Sequence, residues 1–300
     1  MSNAIETRAV QRRMNKAFEI RDLALNVPSG SIYGFLGPNG SGKTTTIRLL
    51  LGLLRSSQGS IALLGRSVPA DMPHILARTG FVPERPHLYA GLTVGEAVRY
   101  HSAFYSAWDA ENAESLRRQF RLDPSQRIGR LSKGEAGKLL VLLALAQSPD
   151  LLVLDEPTDG LDPVVRRDVL SSVLDYVSQK EATVFISSHL VHELERFCDW
   201  VGVMDDGRLV AEMPMETFKN GIKRLRVLDG PAVVDDAPFM LLAREPSEGV
   251  SDGEVWVVRN WQASMSQYFE RVGASLREVV DLDLEEGFVE LLRTFRSPTA

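Results

Sequence analysis

Two kinds of apolar run alternate along this chain. Blocks such as Ile32-Tyr33-Gly34-Phe35-Leu36 and Leu151-Leu152-Val153-Leu154 are apolar throughout, as strands buried on both faces are. Elsewhere apolar residues recur three and four apart, the spacing of one face of a helix. From Ala17 to Leu36 the pattern predicts two short strands around the turn Val27-Pro28-Ser29-Gly30, followed by a helix from about Lys43 to Leu54 and strands over Ser60 to Leu64 and Gly80 to Val82. Thr93 to Gln147 reads as helical, with a capping box at Thr93 and Glu96 and further N-caps at Asp109 and Ser132. Pro149 closes that block. A helix from about Pro163, the strand Thr183 to Ile186, a helix from about Leu190 and strands near Val201 to Met204 and Arg208 to Glu212 follow. The alternation predicts an α/β fold with a mostly parallel sheet covered by helices.

That pattern ends around Met213 to Gly221, so residues 1–220 are expected to form one domain and 221–300 a small α/β appendage. The tail holds strand patterns at Leu225 to Leu228 and Glu254 to Val258. It also holds two helical stripes, Trp261-Met265-Tyr268-Val272 and Leu284-Phe288-Leu291-Phe295, which read as core.

The composition is that of an ordinary globular protein, 44% hydrophobic and 25% charged over 300 residues. A net charge of -6 argues against bulk nucleic-acid binding. The longest apolar run, Leu139 to Ala146, is too short to cross a bilayer, so any membrane role is expected to come from a partner. Glu6, Arg8, Arg12 and Arg13 near the N-terminus do not read as a secretory signal. Cys198 is the single cysteine, which excludes an internal disulfide and fits a reducing compartment.

Chemistry enters at Gly37-Pro38-Asn39-Gly40-Ser41-Gly42-Lys43-Thr44, directly after a strand pattern and opening a helix. Glycines here let backbone N–H groups turn inward around phosphate oxygens, and the helix presents its positive end to the anion. Lys43 can place a cation on the β and γ phosphates and Thr44, followed by Thr45, offers a hydroxyl to Mg²⁺. The cradle therefore predicts binding of a nucleoside triphosphate with Mg²⁺. Asp155-Glu156, ending a buried strand, adds two carboxylates at the same pocket. Asp155 suits the metal and Glu156 suits polarising an attacking water. A zinc site at His189, His192 and Cys198 lacks a fourth ligand.

Leu131-Ser132-Lys133-Gly134-Glu135, opening an apolar helix, resembles the signature motif of the ATP-binding-cassette (ABC) ATPases. The match extends over roughly residues 17 to 220. Asp159-Gly160-Leu161-Asp162 resembles the D-loop, His189 the switch histidine and Phe81-Val82-Pro83-Glu84 the loop that couples nucleotide to a membrane partner. The resemblance implies a P-loop NTPase of ABC type, with an N-terminal antiparallel β subdomain and a helical subdomain at about 85–148. It further implies that Ser132 and Gly134 cover the γ-phosphate held by another subunit. Asp162 joins the nucleotide-binding set, Glu84 and Asp155 serve the metal, and Glu156 and His189 serve hydrolysis. Ser132 and Glu135 also fit a plain capping box, compatible with that role.

Four positions depart from the family pattern. Glu84 stands where glutamine is usual, although related export ATPases tolerate glutamate. Lys133 replaces glycine and Glu135 replaces glutamine, with Lys133 expected to offset Glu135. Met14 falls where an aromatic residue stacks on adenine, and Phe18 is expected in a strand from Ala17 to Leu25, out of place for stacking; looser discrimination between ATP and GTP is expected. Pro157 to Pro163 and Asp281 to Phe288 most resemble the ATPase subunits of bacterial ABC-2-type exporters. The implied function is an ATPase subunit on the cytoplasmic face of a membrane, driving a separate integral membrane permease and paired with an identical or paralogous ATPase, without nucleic acid. The rival readings are a regulatory ABC ATPase with little turnover and a soluble ABC ATPase acting on nucleic acid or ribosomes.

Overall fold

The computed structural model describes residues 2–15, 18–234, 236–247 and 253–296. By contact the chain divides into two units, Met1–His189 with Met204–Leu209, and Leu190–Val203 with Val210–Ala300.

In the first unit four parallel strands lie in the order Ile32–Leu36, Thr183–Ser188, Leu151–Asp155, Thr79–Val82. Every residue of the first three is buried, which explains why they read as unbroken apolar runs. The segment Met204–Leu209, from the adjoining strands Trp200–Asp205 and Arg208–Pro214, belongs to the same unit. The strands Thr183–Ser188 and Leu151–Asp155 each run past their apolar core into polar residues, Ser187-Ser188 and Asp155, and those polar ends carry the chemistry.

A second sheet in this unit is antiparallel, in the order Glu19–Leu23, Asn3–Arg13, Gln58–Leu63, Arg66–Val68, with Asn26–Pro28 also paired to Asn3–Arg13. Its long strand, Asn3–Arg13, has no counterpart in the sequence reading. Five of its eleven residues are Arg, Glu or Gln, and a bulge between Val10 and Arg12 interrupts the alternation that would announce it. The expected strand start at Ala17 lies outside the described residues; the strand begins at Glu19, leaving Phe18 before it.

The helical stretch resolves into Val94–Ser102, Ala110–Gln119 and Lys133–Leu145, joined by the 3-10 turn Ile128–Arg130. Thr93 and Ser132 each close a reciprocal capping box, with Glu96 and Glu135, and Asp109 accepts from the Asn112 amide. The helix after the phosphate loop ends at Leu50, short of Leu54, and the one after Leu190 covers only Val191–Leu194.

The second unit contains a four-stranded antiparallel sheet in the order Met240–Pro246, Gly253–Arg259, Lys223–Leu228, Ser275–Asp281. Met240–Pro246 and Ser275–Asp281 escaped the sequence pattern, since both are half-exposed edge strands carrying charged residues. Phe239, Trp256, Trp261, Tyr268 and Phe269 pack as one aromatic core, with the Phe239 and Phe269 rings stacked at 5.8 Å. Leu284, Phe288 and Leu291 are buried along the helix Leu284–Arg296, whereas Phe295, the last of the expected stripe, is 37% exposed.

Candidate functional site

The loop between the strand Ile32–Leu36 and the helix Lys43–Leu50 forms one wall of a cavity of about 610 Å³ in the first unit. Met14, Asn15 and Phe18 line one part of it. Asn39, Gly40, Gly42, Lys43, Thr44 and Thr45 form the loop wall, and Glu84, Glu156, Asp159 and His189 complete it. Gly42 has φ +113°, a left-handed backbone that a side chain strains, and a Cβ there would meet Ile20 and Phe18 at 2.8 and 2.9 Å. The turn is therefore open to glycine alone. Its consequence is a helix whose first amides face the cavity.

Within the loop, Lys43 is 5% exposed. Its Nζ donates to the Gly37 carbonyl at 2.6 Å and the Pro38 carbonyl at 3.3 Å, and lies 3.2 Å from Glu156 Oε1. Ser41 Oγ is buried with no hydrogen-bond partner among the described residues. A cation held by loop carbonyls, an orphaned hydroxyl and a helix N-terminus are the donors that a polyphosphate takes up.

At the strand ends, Asp155 is 2% exposed; its Oδ1 accepts from Thr44 Oγ1 at 3.2 Å and Ser187 Oγ at 2.8 Å. Burial holds the Asp155 carboxyl above its ordinary range, and the charges of Glu84 and Glu156 push the same way; the Ser187 and Thr44 hydroxyls pull it back down. A carboxylate in that position gains most from a nearby cation. With Thr44 beside it and Glu84 in the same wall, the ligand set is all oxygen, which fits a Mg²⁺ that draws its other ligands from phosphate and water.

Glu156 follows in a left-handed backbone, φ 48°, uncommon for a residue with a side chain and a form of strain found where function fixes an orientation. Ser187 Oγ accepts the Glu156 amide at 3.0 Å, so one serine holds both carboxylate residues. Glu156 Oε2 meets His189 Nδ1 at 2.9 Å and accepts from the His189 amide at 3.3 Å. Lys43, Glu156 and His189 thus form one chain of contacts, joined to Thr44 and Asp155 by Ser187. Ser187 was not singled out from the sequence; its position, two residues before the histidine at the end of a buried strand, is the signal that pointed to it.

Phe18 corrects the sequence reading. It stands in the cavity wall beside Met14, its amide bonded to Asn15 Oδ1 at 2.9 Å and its carbonyl accepting from the Met14 amide at 3.0 Å. Phe18 therefore presents an aromatic ring to the nucleotide cavity beside Met14. Asn15, a turn former one residue after Met14, was the available clue. Lys133 departs too. Its Nζ lies 3.3 Å from Asp159 Oδ2, and Glu135 is occupied by the Ser132 amide, so Lys133 is not the counter-charge of Glu135.

Ser132, Gly134 and Asp162 lie outside the cavity wall. Ser132 Oγ accepts the Glu135 amide at 3.2 Å, and Asp162 Oδ1 accepts the Val164 and Val165 amides at 3.0 Å, capping the helix Pro163–Lys180. In Asp159-Gly160-Leu161-Asp162 it is Asp159 that borders the cavity.

The chain is similar to known proteins. The family pattern described as ABC transporter matches residues 20–159. The bacitracin transport ATP-binding protein BcrA of Bacillus licheniformis is 34% identical over 221 residues, covering 73% of this chain and 72% of its own. The Nod factor export ATP-binding protein I of Burkholderia lata is 35% identical over 214 residues, covering 69% and 70%. Among solved structures, an ATP-binding subunit of an ABC transporter superposes with a TM-score of 0.66 at 26% identity, covering 72% of this chain and 92% of that one. With the phosphate loop, the paired carboxylates and these relatives in agreement, the chain belongs to the ABC transporter family, as one of its ATP-binding ATPase subunits.

Proposed function

We propose that this chain drives an exporter: it sits peripherally on the cytoplasmic face of a membrane, binds Mg·ATP in the Lys43 cavity, and closes on a second ATPase, identical or paralogous, to power a separate permease. Residues 1–220 form the nucleotide domain on this reading and 221–300 an accessory domain. The observation that carries it is the contact chain Lys43–Glu156–His189, tied through Ser187 to Asp155 and Thr44. A relative named for Nod factor export supports the direction, and one named for bacitracin transport supports the transport role. No helix among the described residues is long and apolar enough to cross a membrane, which is why the permease is placed on another chain. Tyr89, Tyr100 and Phe104 support such a partner: they are exposed, stack edge to face at 5.8 and 5.1 Å, and follow the Glu84 loop in sequence.

In this account the loop Gly37 to Thr44 holds the β and γ phosphates, with Lys43 exchanging its contact with Glu156 for the phosphate oxygens. Bound Mg²⁺ would neutralise charge developing on the phosphates, held by Thr44 and Asp155 with Glu84 nearby. Glu156, released from Lys43, accepts the proton of the attacking water, and His189 orients Glu156 through the Oε2 contact. Ser132 and Gly134 supply helix-end donors to the γ-phosphate of the opposite subunit. Phe18 offers the base a stacking face, with Met14 beside it.

Glu156→Gln removes the base while keeping the shape of the site. The variant is expected to sediment as a dimer with Mg·ATP and as a monomer without it, and to lose about 10²- to 10⁴-fold in turnover. Hydrolysis near the wild-type rate would remove Glu156 from its role.

A further inference from the structure

Lys133 breaks the family pattern at the tip of the signature helix, and its ammonium leads back to its own chain's ATP cavity. Nζ lies 3.3 Å from Asp159 Oδ2, and Asp159 belongs to the cavity wall. The lysine side chain lies over Gly160, where a Cβ would run into Nζ. The backbone there has φ +62°, so Gly160 supplies both the turn and the room for Lys133. At the other end Lys133 is the first residue of the helix Lys133–Leu145, directly after the Ser132 cap.

Asp159 is the carboxylate of the wall to which the proposed reaction gives no work. Glu84 and Glu156 line the same cavity, and a nucleoside triphosphate brings several more negative charges. An unpaired Asp159 would repel that ligand. We propose that Lys133 is a positioning residue for ATP binding: its ion pair with Asp159 neutralises a carboxylate facing the phosphates and fastens the signature-helix tip to the ATP cavity of the same subunit. Charge at Asp159 and lysine at position 133 are then one device. The inference rests on the ATP-site reading above, because the repulsion it relieves requires a polyanion in the cavity.

Both partners are about half exposed, so the effect is modest and salt-sensitive. The test is calorimetric titration of the full chain with Mg and the hydrolysis-resistant analogue adenylyl imidodiphosphate, at about 0.05 M and about 1 M salt. Lys133→Gln, which removes the charge and keeps a polar side chain, is expected to weaken binding about two- to fivefold at low salt and hardly at all at high salt. Lys133→Arg is expected to bind as the wild type does. In an Asp159→Asn background, Lys133→Gln is expected to change nothing, since there is no charge left to mask. A loss that persists in that background, an equal loss in Lys133→Arg, or no loss at low salt would each overturn the proposal. Failure of the ATP-site reading looks different: the wild-type chain would not bind the analogue, or Lys43→Ala would bind it equally well.

Discussion

The two units of this chain solve the same problem, an α/β layer around a sheet, and differ in where they bury polarity. In the first unit Lys43, Asp155 and Ser187 are buried at the carboxyl ends of parallel strands, held by one another and by loop carbonyls. In the second, the sheet covers an aromatic core, and one charged pair beside it is satisfied in place: Arg244 meets Glu254 at 2.7 Å, and Trp256 Nε1 donates to the same carboxylate at 2.8 Å. A buried polar cluster that costs stability and needs a ligand marks a site, whereas an apolar core with closed ion pairs marks support.

The sharpest way to break that contrast is one substitution in each region. Lys43→Ala is expected to lower ATP hydrolysis by at least about 10²-fold, since it removes the cation of the phosphate loop, while leaving thermal stability near that of the wild type. Phe269→Ala is expected to cost about 3–5 kcal/mol of stability by emptying the aromatic core, with turnover per folded molecule little changed; denaturant melts and phosphate-release assays on both variants check the pair. Parallel losses of activity and stability in both would erase the distinction.

A smaller effect comes from Ser187→Ala, which removes the donor to Asp155 and the acceptor of the Glu156 amide. A stability cost of about 1–3 kcal/mol is expected, with turnover falling more than nucleotide affinity, as kcat and KM measured together would show.

Asp155 gives the smallest effect, with a definite sign. Its folded carboxyl titrates above the ordinary value of 3.8, so the ionised form is the one the fold disfavours. Its contribution to stability is full below the unfolded value and is lost as pH rises through the raised folded value. Asp155→Asn keeps an acceptor for Ser187 and Thr44 and lacks the charge. Without nucleotide it is expected to melt higher than the wild type at neutral pH, with the advantage vanishing in acid; melting curves against pH would show it. A variant that melts lower at neutral pH would mean that the ionised carboxylate is stabilising.

Much of the first unit was legible because its elements obey local rules. The buried strands are continuous apolar runs, the helices carry their caps at Thr93, Asp109 and Ser132, and the phosphate loop is a contiguous motif. What escaped depends on pairing across distance. Asn3–Arg13 is a strand because two sheet neighbours accept it, and the edge strands Met240–Pro246 and Ser275–Asp281 are too polar to announce themselves. The site follows the same division. Lys43, Thr44, Asp155 and Glu156 were readable in sequence, whereas Ser187 as the holder of Asp155 and Glu156, Phe18 as a wall of the cavity and Lys133 as the partner of Asp159 come from residues far apart in the chain or without a periodic signal.

On the proposed reading one subunit's Lys43 loop works with another's Ser132 helix tip. An ATPase assay on a mixture of two inactive variants, Lys43→Ala and Ser132→Arg, decides it. A mixed pair contains one site in which an intact phosphate loop meets an intact helix tip, so the mixture should recover roughly a quarter of wild-type turnover. A mixture as inactive as its components would show that each chain does its chemistry alone.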